Sequence, residues 1–149
     1  MNLVHNWQVE NLEDLKQVVN ACKLVMPNPA IVLLQGPMGI GKTQWVQFWC
    51  DQKVVSPTYA LHHSYRLASG IELEHFDLYR LQSEDDLEST GFWDLIQDDS
   101  SWVFIEWPER LQIQHLPLHR QRFLIDFKWV ENKSAEAPIR EREISLYQL

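Results

Sequence analysis

Residues 33–47 read LLQGPMGIGKTQWVQ, an apolar run that breaks into three glycines and a lysine and then resumes with apolar residues at helical spacing. Gly36, Gly41, Lys42 and Thr43 fit the phosphate-binding pattern G-x-x-x-x-G-K-[ST]. In that pattern glycines let backbone N–H groups turn inward around phosphate oxygens, the lysine adds a mobile positive charge, and the hydroxyl reaches Mg²⁺. The same glycines would also suit a plain strand-to-helix connection. The context favours the phosphate loop: Ile31 to Leu34 is a run of strand type, and Trp45, Val46, Phe48 and Trp49 follow at helical spacings.

A phosphate loop needs a second acidic group for Mg²⁺, normally at the end of a buried apolar strand. Glu106 closes the run WVFIE and meets that need; aspartate is the commoner choice, and the alternative is a solvated strand-terminal acid. Ser56-Pro57-Thr58 follows the loop's helix, where a stiff proline turn would present a hydroxyl to the γ-phosphate or its metal, as switch segments do; a simple turn fits the spacing nearly as well. In HFDLYR, His75 and Asp77 share one face of a strand. Taken alone the pair reads as structural, with metal binding or water polarisation as the functional alternative. The six histidines otherwise form no zinc-like spacing.

These residues need elements to hold them. NLEDLKQVVNACKLV (11–25) predicts a helix capped by Asn11, with Leu12, Leu15, Val19, Cys22 and Val25 as its apolar stripe, ended by Pro27-Asn28-Pro29. A strand over 31–35 and a helix over 42–51 flank the glycine loop. Residues 58–67 and 71–81 predict a hairpin around Ala68-Ser69-Gly70, and Ser83-Glu84-Asp85-Asp86 resembles a capping box opening a short helix that stops near Gly91. Trp102 to Ile105 is a further strand that Pro108 prevents from continuing past Trp107. Arg122 to Val130 alternates strictly, with Phe123, Ile125, Phe127 and Trp129 on one face, and pairs with 139–146 as a terminal antiparallel unit. The whole predicts one α/β domain over 1–149: a mixed sheet of phosphate-loop NTPase type flanked by helices, with antiparallel hairpins.

Composition narrows the function classes. The 149 residues are 45% hydrophobic and 23% charged, ordinary for a globular domain. No apolar run approaches membrane-spanning length and MNLVHNWQVE lacks a signal-peptide pattern, so a cytoplasmic protein without membrane contact is expected. Cys22 and Cys50 predict two reduced, packed thiols. A net charge of −8 disfavours tight nucleic-acid binding by this chain alone. Most of the seven tryptophans are expected in the core, some at an interface.

Taken in order, LLQGPMGIGKT, SPTY, HFDLYRL, EDDLESTGFWDLI and VFIEWPERL closely resemble the bacterial TsaE (YjeE) family, over about residues 11–113. The resemblance implies a small ATPase of tRNA threonylcarbamoyladenosine biosynthesis that acts with the TsaD and TsaB subunits and meets tRNA only through that complex. It implies ATP and Mg²⁺ as ligands, with Gly36, Gly39, Ile40, Gly41, Lys42, Thr43 and Gln44 at the nucleotide and Thr43 and Glu106 as the Mg²⁺ pair. It raises Thr58 to a switch-like hydroxyl, and it makes Asp77 the candidate for orienting water or coupling hydrolysis to the partner; with Lys42 these are the expected catalytic residues. Pro37-Met38 stand where the family usually has Asp-Leu, and a leucine-bearing helix stands where a threonine is often seen, which leaves adenine recognition without an assigned residue.

Arg80 is the only arginine within the matched motifs before Glu106, and strand alternation puts it out of phase with Asp77, so no guanidinium in the chain is expected to face the γ-phosphate. A partner's arginine can add about 10³ to 10⁵ in rate. Slow hydrolysis alone and faster hydrolysis in the complex are therefore expected. The rival readings are a small metabolite or nucleoside kinase, which would need an acceptor pocket and an arginine-bearing lid, and a nucleotide-gated binding subunit with incidental turnover. The basic stretch IRERE at 139–143 has no assigned role.

Overall fold

The computed structural model describes residues 1–55, 60–131 and 140–149. Its elements in chain order are β1 (Asn2–Val9), α1 (Leu12–Val25), β2 (Ile31–Gln35), α2 (Lys42–Cys50), β3 (His62–Arg66), β4 (Glu72–Asp77), α3 (Glu84–Glu88), α4 (Phe92–Leu95), β5 (Trp102–Glu106), β6 (Arg122–Glu131) and β7 (Arg140–Gln148), with 3₁₀ turns at Pro108–Arg110 and Ile113–His115. The strands form one seven-stranded sheet in the order β1-β7-β6-β2-β5-β4-β3. β2 pairs in parallel with β5 and β6, and β4 in parallel with β5; the β1/β7, β6/β7 and β3/β4 pairings are antiparallel.

Two cores lie on the two faces. On one, Leu15, Val19 and Cys22 of α1 and Trp45, Val46 and Trp49 of α2 cover Val32, Leu34, Phe104, Ile125 and Phe127. On the other, Leu87 of α3 and Phe92 of α4 join Ile96 and Leu116 over Ile31, Leu33, Phe76, Val103 and Ile105. The continuous apolar runs of β2 and β5 follow from this, since strands covered on both sides need no polar alternation.

Local chemistry sets the element ends. Asn11 accepts from the Asp14 N–H at 2.9 Å while the Asp14 carboxylate accepts from the Glu10 N–H at 3.0 Å, a reciprocal cap on α1. The buried stripe of α1 contains Val18 with Leu15, Val19 and Cys22, whereas Leu12 and Val25 are exposed. Ser83 stands at the N-cap of α3 without a side-chain cap; Asp86 instead accepts from the Gln82 N–H at 3.3 Å. α3 ends at Glu88, where the Ser89 and Thr90 hydroxyls donate to the carbonyls of Asp86 and Leu87.

Three elements differ from expectation. β1 pairs along β7 although its sequence carries no burial pattern, because an edge strand is held by backbone hydrogen bonds and leaves most of its side chains exposed. The second hairpin strand stops at Asp77, four residues early: Asp77 Oδ1 accepts from the Tyr79 N–H at 3.0 Å and turns the chain out of the ladder. α4 is a single turn after Gly91, too short to leave a periodic signal. Of the seven tryptophans only Trp45, Trp49 and Trp102 are buried, packing with Phe104, and the other four are half-buried. Cys22 and Cys50 are buried free thiols, with burial pushing their pKa up to about 12 and about 11. No helix among the described residues is long and apolar enough to cross a membrane.

Candidate functional site

The loop from Gly36 to Gly41 joins β2 to α2 at the carboxyl end of the central parallel strands. It turns back tightly against β6: a Cβ on Gly36 would stand 2.9 Å from both the Cβ and the carbonyl oxygen of Phe127. Gly41 caps α2 with φ 118°, a conformation other residues rarely adopt, and so delivers Lys42 and Thr43 as the helix's first two residues.

Strand register assembles the remaining groups. Leu34 of β2 lies opposite Glu106 of β5, which lies opposite Asp77 of β4. Side chains alternate across a sheet, so Phe104 and Glu106, like Leu73, His75 and Asp77, point to the face covered by α2. The result is a three-residue constellation. The Thr43 hydroxyl lies 3.1 and 3.2 Å from the two Glu106 carboxylate oxygens, and His75 Nε2 lies 2.6 Å from one of them. Glu106 is 2% exposed and His75 fully buried. Nε2 faces the carboxylate, and the buried Nδ1 has no hydrogen-bond partner among the described residues.

Lys42 donates to the carbonyls of Gly36 and, at 3.2 Å, Pro37, with its ammonium 4.1 Å from the ring centre of Trp107. Burial draws its pKa below the ordinary lysine value, against the opposing pull of Glu106, Glu109 and Asp77. Trp107 reaches this position because it leaves β5 in a left-handed conformation, φ 59°, before Pro108 opens the 3₁₀ turn.

The cleft in front of these groups holds about 390 Å³ and is lined by Met38, Gly39, Gly41, Lys42, Thr43, Gln44, Asp77, Tyr79, Arg80, Glu106 and Trp107. Of the expected residues it brings together Gly39, Gly41, Lys42, Thr43, Gln44, Asp77 and Glu106. Gly36 backs the loop against β6, and the Ile40 side chain is buried in the α1–α2 core. Thr58 lies outside the described residues.

One expectation is corrected. Arg80 does line the cleft with Asp77, because the period-two alternation that separated them ends where β4 ends. Sequence reasoning also left Trp107 and Tyr79 unassigned. The Trp-Pro step after a buried strand was the available signal for the first, since it marks a strand end that must turn sharply.

The donor set suits phosphate and a hard divalent cation. Loop residues Gly39 and Gly41 line the cleft with Lys42, and a hydroxyl beside a buried carboxylate offers the oxygen ligands that Mg²⁺ prefers. Thr43 and Glu106 are the residues that could hold such an ion.

Comparison with known proteins gives a consistent family. The family model described as "Threonylcarbamoyl adenosine biosynthesis protein TsaE" matches residues 9–141. The tRNA threonylcarbamoyladenosine biosynthesis protein TsaE of Rickettsia conorii is 32% identical over 110 residues, covering 70% of this chain and 60% of that protein. Its namesake from Haemophilus influenzae is 38% identical over 95 residues, covering 60% and 59%. The chain thus spans about three fifths of the length of these curated relatives. Among solved structures, Bacillus subtilus YdiB superposes with a TM-score of 0.63 at 21% identity, covering 98% of this chain and 86% of that one, a likeness of fold.

Proposed function

The chain belongs to the TsaE family, and on that premise we propose that it binds and hydrolyses Mg²⁺-ATP as the nucleotide-driven subunit of the tRNA threonylcarbamoyladenosine machinery. Its partners in this reading are TsaD and TsaB in the cytoplasm, and its charge of −8 leaves tRNA contact to them. The observation that carries the reading is the buried Glu106 carboxylate standing 3.1 Å from the Thr43 hydroxyl, directly behind a glycine loop that carries Lys42.

Each group then has a task. The loop N–H groups and Lys42 take the β- and γ-phosphate oxygens, Lys42 exchanging its two carbonyl acceptors for phosphate oxygens. Thr43 and Glu106 would hold Mg²⁺, which would supply neutralisation of phosphate charge. His75 holds the Glu106 carboxylate in one rotamer, so the pair with Thr43 is set before nucleotide arrives. Asp77, on the cleft wall, orients the water whose oxygen bonds to the γ-phosphorus as the bridging P–O bond breaks. Arg80 borders the same space and is the chain's own candidate for countering the charge that develops there.

The test is phosphate release by the wild-type chain and Lys42→Ala, each with and without TsaD and TsaB. The wild type is expected to turn over slowly alone and faster in the complex, and Lys42→Ala to lose both activities and most ATP affinity. Wild-type turnover in Lys42→Ala would remove the phosphate-loop assignment. An isolated chain already as fast as the complex would remove partner stimulation and leave a self-sufficient ATPase.

A further inference from the structure

The groups that address phosphate and metal all stand on one side of β2: Glu106 on β5 and Asp77 on β4. If the terminal phosphates point that way, the nucleoside leaves the loop on the opposite side, over the ends of β6 and β7. Two strand ends meet there. β6 runs past the end of β2, which reaches only Asp126, and carries Phe127 behind Gly36 and then Trp129 on the same face. Arg142 of β7 lies opposite Trp129 in the ladder, and its guanidinium carbon is 5.1 Å from the ring centre. Arg140 approaches the same ring at 5.1 Å.

Arg142 also reaches the loop. A Cβ on Gly41 would meet Leu15 Cδ2 at 3.6 Å and Arg142 Nε at 4.0 Å, so the guanidinium sits beside the residue that opens α2. Its Nε is buried without a hydrogen-bond partner among the described residues. An arginine stacked on an indole presents a planar, polarisable face with edge donors, a surface that accepts an aromatic base far better than it serves as a point charge.

We infer that Arg142, held on Trp129, is the base-side contact of the bound nucleotide, its guanidinium taking the purine ring of ATP at the edge of the glycine loop. The inference rests on the nucleotide reading of the cleft, and it assigns a role to the basic stretch of β7 that no phosphate or metal function uses. It separates the two halves of the ligand: Lys42 serves the phosphates, Arg142 the base.

Titration calorimetry with ATP and with inorganic tripolyphosphate tests it, using the full chain as wild type, Arg142→Ala, Arg142→Lys and Lys42→Ala. Both Arg142 variants are expected to weaken ATP about tenfold and to leave tripolyphosphate within about twofold, since the lysine keeps the charge but not the planar face. Lys42→Ala is expected to lose both ligands. In the indole N–H spectrum, the signal missing from Trp129→Phe should move with ATP and stay with tripolyphosphate. Unchanged ATP affinity in both Arg142 variants, equal loss of the two ligands, or a Trp129 signal indifferent to ATP would each overturn the inference while leaving the phosphate site standing. A wild type that binds neither ligand would overturn the nucleotide reading itself.

Discussion

Replacing Glu106 in two ways separates its charge from its hydrogen bonds. One carboxylate oxygen, Oε2, accepts from His75 at 2.6 Å and from Thr43 at 3.1 Å, while Oε1 meets only Thr43, at 3.2 Å. In Glu106→Gln the amide oxygen can take the place of Oε2, and the amide NH₂ can face a Thr43 hydroxyl that rotates to accept. The buried network stays satisfied. In Glu106→Ala the buried Nε2 of His75 loses its partner, a loss of about 1–3 kcal/mol before any cavity cost. For a chain of this size that corresponds to a fall in melting temperature on the order of 5 °C, against about 2 °C or less for the glutamine variant. Both variants lose the anionic oxygen needed for Mg²⁺ and one of the carboxylates that hold the Lys42 pKa up, so both are expected to lose at least about a hundredfold in Mg²⁺-dependent phosphate release while still binding ATP without metal. Thermal melts by circular dichroism beside phosphate-release assays read the two effects separately. Full Mg²⁺-stimulated activity in Glu106→Gln, or equal stability of the two variants, would refute the reasoning.

Three other expectations follow from described contacts. Gly36→Ala places a Cβ 2.9 Å from the Phe127 backbone and should cost about 1–3 kcal/mol in urea unfolding; an unchanged midpoint would show that the loop can lift off β6. Arg80→Ala should slow phosphate release by the isolated chain by about tenfold or more, whereas an unchanged rate would place the neutralising charge outside these residues. The thiols of Cys22 and Cys50 have raised folded-state pKa values of about 12 and about 11, so above the ordinary thiol value of 9.0 the unfolded chain releases protons that the folded chain keeps. Their stabilising effect is complete below that value and is lost as pH rises toward the folded values, by up to about 1.4 kcal/mol per pH unit for each group. Cys22→Ala should flatten the fall in urea midpoint between pH 9 and pH 11, and a fall as steep as in the wild type would assign it to other groups.

The parts of the site legible in the sequence are those whose chemistry is local. Gly41, Lys42 and Thr43 announce themselves because a loop that turns backbone N–H groups inward needs those types at that spacing, and Glu106 because an acid at the end of WVFIE contradicts its apolar context. What escaped depends on where a strand stops. Period-two alternation extended through Asp77 separates Arg80 from it, whereas the Asp77 turn interrupts that alternation and brings both to the cleft. Trp107 was hidden by its left-handed backbone, which no composition signal marks for tryptophan. The bond between His75 and Glu106 joins positions 31 residues apart and exists only through the β4–β5 register. β1 was missed for a different reason: hydrogen bonding to β7 holds it, and exposed side chains carry no record of that.

The alternation that sorts Phe104 from Ile105 between the two cores also decides where Glu106 points. A one-residue slip of β5 would turn Glu106 away from the cleft and exchange the apolar side chains of both layers at once, so packing on each face guards the register on which Thr43, His75 and Glu106 depend. These three come from separate stretches of chain and meet only where β4 and β5 are paired with β2. The Thr43–Glu106–His75 cluster therefore depends on long-range pairing of β4 and β5 with β2, and a fragment that retains the glycine loop alone would have the sequence signature of the site without Glu106 and His75.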